Sequence, residues 1–343
     1  MTGIAGGPHG IGLDAAPGKP FLQQRDEFRV VLDEKYPHRR SAPIHARDRW
    51  CLLTCRKALR PCRIRRLLIS WRPGYIWSVT ISDRLIDLGD RQLRVRRLVP
   101  EQDDGLERTT LVFLHEGLGC VEMWRDFPQS LCNATRCQGI VYDRTGYGGS
   151  SPWPSDPGVR YMEIEADEVL PRLIATLGVE DCVLVGHSDG GTIALNYAAS
   201  DPEPLRAVVT LAAHAINEPV CIDSIRRARE TFAADDLRAR LARYHGDNVD
   251  ACFRLWSEAW LSPGFEPMDA NGRLPGIVVP LQAIQGEDDE YGSELQLGII
   301  AGKVGGYCET RLVPSCGHAP HLQQPAYVLS EVARFVAPLA LVD

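Results

Sequence analysis

No run in this chain approaches the roughly 18 uncharged apolar residues that a membrane-spanning helix needs, so neither a bilayer-spanning segment nor a membrane partner is expected. The first twenty residues are rich in Gly and Pro without an apolar stretch, which predicts no standard secretory leader. Cysteine is sparse for a disulfide scaffold, at 11 in 343 residues, and the number is odd. Mostly free thiols in a reducing compartment are expected, and with them a cytoplasmic location. Zinc and nucleotide signatures are missing as well. Cys51, Cys55 and Cys62 fit no common zinc spacing, and no His follows them at finger spacing. Gly146-Tyr147-Gly148-Gly149 lacks the Lys of a phosphate-binding loop. No metal and no other cofactor is expected.

What is present is ordinary in bulk and uneven in distribution. Apolar residues make up 44% and charged residues 24%, which excludes disorder, collagen and coiled coil as the main architecture. The net charge of −7 hides a split: residues 1–77 hold 15 basic against 6 acidic residues, and the remainder 23 against 39. The first segment also lacks periodicity, so residues 1–78 read as a basic, poorly ordered extension and 79–343 as the folded domain. A product starting at a non-Met codon near Val79 would fit the same pattern. Basic charge without a motif does not make a nucleic-acid arm, and no nucleic-acid partner is expected.

From about Ile81 strands and helices alternate. Leu85 to Leu88 and Leu93 to Leu98 alternate apolar and polar around Gly89-Asp90, which is hairpin chemistry. Short apolar runs follow at Leu111–Leu114, Gly139–Tyr142, Cys182–Val185, Ala207–Leu211, Ile277–Ile284 around Pro280, and Arg311–Val313. Such runs, punctuated by Gly, read as strands buried on both faces. Helical patterns separate them at 123–132, 161–177, 191–199, 295–304 and 325–339. The sum predicts an α/β fold: a mostly parallel sheet, helices on both faces, an antiparallel hairpin at one edge. Residues 215–275 break the rhythm with a charged helical insertion carrying Tyr244, Phe253, Trp256 and Trp260, expected to act as a lid.

Gly186-His187-Ser188-Asp189-Gly190 is a G-x-S-x-G pattern directly between a strand and a helix of small residues. A Ser on such a turn is held at a strained backbone angle with oriented N–H groups behind it. Gly286-Glu287-Asp288-Asp289 places acids at the C-terminal end of a later strand, where open α/β sheets carry their sites. Cys316-Gly317-His318-Ala319-Pro320-His321 follows the last strand, giving the chain order Ser, Asp, His.

With His115-Glu116-Gly117-Leu118-Gly119 and the run from Tyr142 to Ser150, these motifs resemble the α/β-hydrolase superfamily over roughly residues 82–340. Within it the chain is similar to small bacterial serine esterases and carbon–carbon-bond hydrolases. The resemblance implies Ser188 as nucleophile, His318 as base and a carboxylate as its orienter. Family spacing selects Asp289, with the adjacent Asp288 as the alternative. It also implies two oxyanion N–H donors: that of Asp189, and one from the loop after the first parallel strand, either Gly117 or Leu118. Glu116 departs from the His-Gly pair common there; it is expected to point away or to pair with Arg144 or another base.

The implied reaction is hydrolysis of a small-molecule carboxylic ester through an acyl-enzyme. Carbon–carbon-bond hydrolysis, lactone opening and cofactor-free haloperoxidation remain open on the same residues, and a ligand-binding protein without activity stands further off. Trp124, Tyr244, Phe253, Trp256, Trp260 and Tyr291 are candidates for an apolar pocket. His187 and His321 are expected as a packed strand-end residue and a helix-start residue. Asn133-Ala134-Thr135 is read as an unused glycosylation match. Oligomeric state is not legible.

Overall fold

The computed structural model describes residues 78–101, 106–234 and 236–342. The basic leader, with Cys51, Cys55 and Cys62, lies outside the described residues. Strands β1 (Val79–Asp87) and β2 (Gln92–Pro100) pair antiparallel in an unbroken register from Val79 opposite Pro100 to Asp87 opposite Gln92. Gly89 makes the turn at φ +92°, and its N–H donates to Asp87 Oδ1 at 2.7 Å. Strands β3 (Thr110–Leu114), β4 (Gly139–Tyr142), β5 (Cys182–His187), β6 (Leu205–Leu211), β7 (Leu281–Gly286) and β8 (Cys308–Val313) follow. The sheet order is β1-β2-β4-β3-β5-β6-β7-β8. Strand β2 meets β4 antiparallel, and every pair beyond it is parallel.

The helices are α1 (Phe127–Thr135), α2 (Tyr161–Ile164), α3 (Leu170–Thr176), α4 (Asp189–Ala198), α5 (Pro219–Ala234), α6 (Leu237–His245), α7 (Val249–Leu261), α8 (Leu295–Lys303), α9 (Pro320–Gln323) and α10 (Pro325–Val336). Helices α2 and α3 are one amphipathic rod joined through a π-helical turn, Glu165–Val169. Pro171 lies just beyond; its missing N–H cannot bond the carbonyl four residues back, and a widened turn absorbs the defect. Helices α5 to α7 form the insertion between β6 and β7.

Side chains along the central strands divide between two cores, because successive residues point to opposite faces. Leu111, Phe113, Val183 and Val185 join α1 and α10 on one face. Val112, Leu114, Cys182 and Leu184 join α3, α4 and the insertion on the other. Full burial of one such Leu or Val contributes about 1.5–3 kcal/mol, so a charge at Val112 or Leu184 would break the layer it serves. Among the described residues no helix is long and apolar enough to cross a membrane.

Two sequence expectations are corrected. The segment Ile277–Val279 is not part of a strand: the ladder starts at Leu281, after Pro280, and Gly306 N–H instead bonds the Ile277 carbonyl at 2.8 Å. The helix expected over 123–132 is split into a 3₁₀ turn, Val121–Trp124, and α1, because Arg125 turns the chain at φ 54°.

Candidate active site

The residues singled out in the sequence meet at the C-terminal edge of the parallel strands. Ser188 follows β5 and opens α4 with φ 52° and ψ −119°, a conformation costing roughly 1–3 kcal/mol outside Gly. The turn closes only because its flanks lack side chains. A Cβ on Gly190 would stand 2.0 Å from the Leu114 carbonyl oxygen, and one on Gly186 would stand 2.3 Å from that of Gly190. Ser188 N–H is anchored on the Leu211 carbonyl at 2.8 Å, so β6 sets the height of the turn.

His318, between β8 and α9, bridges the other two residues. Its Nε2 lies 2.9 Å from Ser188 Oγ, and its Nδ1 lies 2.9 and 3.0 Å from the two oxygens of Asp289. A carboxylate only accepts, so Nδ1 carries the proton and Nε2 is left to accept from the Ser188 hydroxyl. Burial opposes both charges, yet the Asp289 charge and hydrogen bond leave His318 above its ordinary pKa. Asp289 is correspondingly held below its own, burial again working the other way. Asp288 is exposed, and Glu287 beside it is too.

Asp289 is held from its far side. Gln285 Nε2 donates to Oδ2 at 2.6 Å, and the N–H groups of Tyr291 and Gly292 reach Oδ1 at 2.8 and 3.3 Å. Gln285 gave no sequence signal; it reads as one more residue of a buried strand.

The loop after β3 is fixed at one peptide. The Glu116 carbonyl accepts from Arg144 Nη2 at 2.9 Å and from Gly119 N–H at 3.1 Å. His115 Nε2 accepts from Arg144 N–H at 2.9 Å, so its Nδ1 carries the proton and donates to the same carbonyl at 2.8 Å. A trans peptide points its N–H opposite its C=O, so the direction of Gly117 N–H is set as well. Glu116 was expected to point away or to pair with Arg144 or another base; Arg144 binds the backbone, and the base is His187, whose Nδ1 lies 3.2 Å from the carboxylate. His245, from α6, caps the loop from the insertion: it faces the Leu118 carbonyl at 3.0 Å and accepts Gly148 N–H at 3.0 Å.

Asp189 does more than offer an N–H at the start of α4. Its carboxylate lies 2.5 Å from Tyr161 Oη, 3.2 Å from Trp260 Nε1 and 3.5 Å from Arg144 Nη2. Both Asp189 and Arg144 side chains are fully shielded from solvent, which makes this a buried ion pair. Burial raises the Asp189 pKa despite Arg144, and the two neutral donors offset part of that cost. The residue after Ser188 thus joins α2, the β4 loop and α7.

The aromatic candidates separate. Trp260 packs edge-on to His214 at 5.0 Å, and Tyr291 stands 4.7 Å from the His318 ring. Trp256 covers Gly117, where a Cβ would meet its Nε1 at 2.3 Å. Phe253 instead stacks on Phe232 at 3.7 Å inside the insertion, and Tyr244 reaches Arg125. Trp124 is not a pocket residue: it is buried in the core on the other sheet face, between Phe113, Phe127 and His321. The sequence missed His214, 5.7 Å ring to ring from His318 and held neutral by burial, with its pKa lowered to about 4. Among the described residues, Cys120, Glu122 and Asp143 come close enough to share an ion, but Arg94 binds both acids there.

Comparison with known proteins agrees with this architecture. Residues 109–262 match the α/β hydrolase fold family. The match and the sheet order together show the α/β-hydrolase fold. It is 31% identical over 105 residues to an sn-1-specific diacylglycerol lipase of Danio rerio, a match spanning 31% of this chain and only 32% of that protein. It is 27% identical to a 2-succinyl-6-hydroxy-2,4-cyclohexadiene-1-carboxylate synthase of Serratia proteamaculans, over 68% of this chain and 96% of that one. Among solved structures, naproxen esterase of Bacillus subtilis superposes with a TM-score of 0.56 at 20% identity, covering 76% of this chain and 93% of the other. These relatives support a hydrolase.

Proposed function

We propose that this α/β hydrolase is a serine hydrolase that cleaves a small carboxylic ester through an acyl-enzyme. One observation carries the reading: His318 stands 2.9 Å from Ser188 Oγ on one side and 2.9 Å from Asp289 on the other. A serine hydroxyl becomes a competent nucleophile when a positioned imidazole takes its proton. Ser188 Oγ attacks the ester carbonyl as His318 Nε2 accepts that proton, and Asp289 stabilises the imidazolium that forms. The oxyanion meets the Asp189 N–H and a donor from the Gly117–Leu118 pair. His318 then protonates the leaving alcohol, and water attacks the acyl-enzyme by the reverse proton path. Helices α5 to α7 serve as the lid, with Trp256, Trp260 and Tyr291 facing the acyl chain.

The rival is carbon–carbon-bond hydrolysis on the same three residues. The likeness to a Serratia protein named as a synthase, over 96% of that protein, is a reason to test chemistry other than ester hydrolysis. Turnover of p-nitrophenyl esters of graded chain length, set beside ring and diketone substrates, separates the two. Ser188→Ala should lower ester turnover by roughly 10⁶ without loss of fold and abolish labelling by a fluorophosphonate. A Ser188→Ala protein keeping more than about a tenth of the rate would overturn the assignment.

A further inference from the structure

His187, the last residue of β5, was expected to pack and nothing more. Its ring is nearly fully buried, and both of its nitrogens face acceptors. Nε2 lies 2.7 Å from the His318 carbonyl oxygen, and Nδ1 lies 3.2 Å from Glu116 Oε2. A carbonyl oxygen has no proton to give, so Nε2 must carry one. A carboxylate also accepts only, so Nδ1 carries the second. A neutral imidazole satisfies one of these contacts and loses the other.

The Glu116 side chain is built into this position. It folds back over its own loop, where a Cβ on Gly119 would stand 2.4 Å from Glu116 Cδ. Any other residue at 119 would displace the carboxylate from His187. The titratable groups against His187 are Glu116 from the β3 loop, His318 from the β8 loop and His321 from α9, with ring centroids of the two histidines at 5.2 and 4.8 Å. Of the four acids of the β7 loop, Asp289 and Glu290 face His318 instead, and Glu287 and Asp288 are exposed. His321 is kept neutral by burial, so Glu116 is the anion that faces the His187 ring.

We propose that His187 is a positioning residue: an imidazolium, ion-paired with Glu116, that ties the loop after β3 to the backbone of the loop bearing His318. The proposal rests on the serine-hydrolase reading for its kinetic consequence, and on the geometry alone for its charge. Ser188 is the next residue along the chain, so one charged ring sets the spacing of oxyanion donors, nucleophile and base. The Glu at 116 is then an adapted feature: its negative charge is neutralised at source rather than left beside a developing oxyanion. The link fails when His187 loses its Nδ1 proton, and turnover should fall with it. It should equally fall when Glu116 is neutralised.

The test uses the full chain labelled with ¹⁵N-histidine. Imidazole nitrogen spectra are recorded across pH, with the His187 signals assigned by their loss in His187→Gln. Two protonated ring nitrogens on His187 at neutral pH are expected, and only one in Glu116→Gln at the same pH. In turnover, Glu116→Gln should lower kcat roughly tenfold or more, with KM within about twofold, because misplaced donors act on the transition state. Amide exchange at 115–119 and 317–320 should speed up in the same variant, whether or not an ester is turned over. A singly protonated His187 in the wild-type protein at neutral pH overturns the proposal, as does an imidazolium whose loss changes neither turnover nor the exchange. Failure of the wild-type protein to turn over esters or react with fluorophosphonate would count against the hydrolase reading; the spectra and exchange would still decide the pair.

Discussion

Asp289→Asn and Asp288→Asn should differ by about three orders of magnitude in turnover. Every group around the Asp289 carboxylate is a donor: His318 Nδ1–H, Gln285 Nε2, and the N–H groups of Tyr291 and Gly292. Asn replaces one oxygen with an NH₂. Placed at Oδ1, that group faces the Tyr291 N–H. Placed at Oδ2, it faces Gln285, whose amide cannot turn over without losing its 3.0 Å bond to the Gly292 carbonyl. Either way the amide competes for His318, which then accepts at Nδ1 and presents Nε2–H to Ser188. A base in that tautomer cannot take the hydroxyl proton, and the loss in kcat should be about 10⁴, or some 5 kcal/mol of barrier. One buried mismatch of donors adds a stability cost of about 1–3 kcal/mol. Asp288 is exposed and makes its contact to the site through its backbone, N–H to the Cys316 carbonyl at 2.8 Å. Its Asn variant should lose about tenfold or less, within about 1.4 kcal/mol. Matched turnover on one ester, with melting curves for both variants, decides it. A loss under about tenfold for Asp289→Asn, or an equal loss for Asp288→Asn, would refute the reasoning.

The pH dependence of kcat/KM should show an acid limb set by His318. Catalysis needs the neutral ring, and Asp289 raises its pKa above the ordinary 6.5, so activity should rise with pH through a value higher than that; a limb lying below 6.5 would contradict the electrostatics. Asp289→Asn, with that charge gone, should carry its residual limb to lower pH. The buried Asp189–Arg144 pair should behave as a unit: each of Asp189→Asn and Arg144→Met is expected to cost about 3 kcal/mol, because the partner is left uncompensated. The double variant should cost less than the sum by at least about 1 kcal/mol, and additive denaturation midpoints would show that the two charges do not interact.

Much of this was legible because local chemistry carried it. The runs of the central strands β3 to β5 are apolar on both faces, and β5 has to be, since every one of its residues is buried. The turn at Ser188 announced itself through Gly186 and Gly190, whose missing side chains are sterically required. The hairpin was written in Gly89 and in the alternation of β2. Errors came where one residue decides the backbone. The β7 ladder begins only after Pro280, although Ile277–Val279 before it is an apolar run, and Arg125 at positive φ divides an otherwise helical stretch.

The unread part of the site is tertiary. Arg144, Tyr161 and Trp260 come from three separate elements and converge on the buried carboxylate of Asp189, and no spacing in the sequence links them. Glu116 shows how far residue-level reasoning reaches. A carboxylate beside an oxyanion site was expected to point away or to find a base, Arg144 or another, and the base it finds is His187. The fold uses both residues, in different roles. Arg144 takes the carbonyl of Glu116, the polar group that fixes which way the Gly117 N–H points, while the carboxylate turns back over Gly119 to His187. The distinction is chemical as well as geometric. A guanidinium bound to the carboxylate would have left the carbonyl held only by His115 and Gly119, without its charged donor. Bound to the carbonyl, with His115 and Gly119 on the same oxygen, it commits that peptide to one orientation before any substrate arrives, which is the preorganisation an oxyanion site requires.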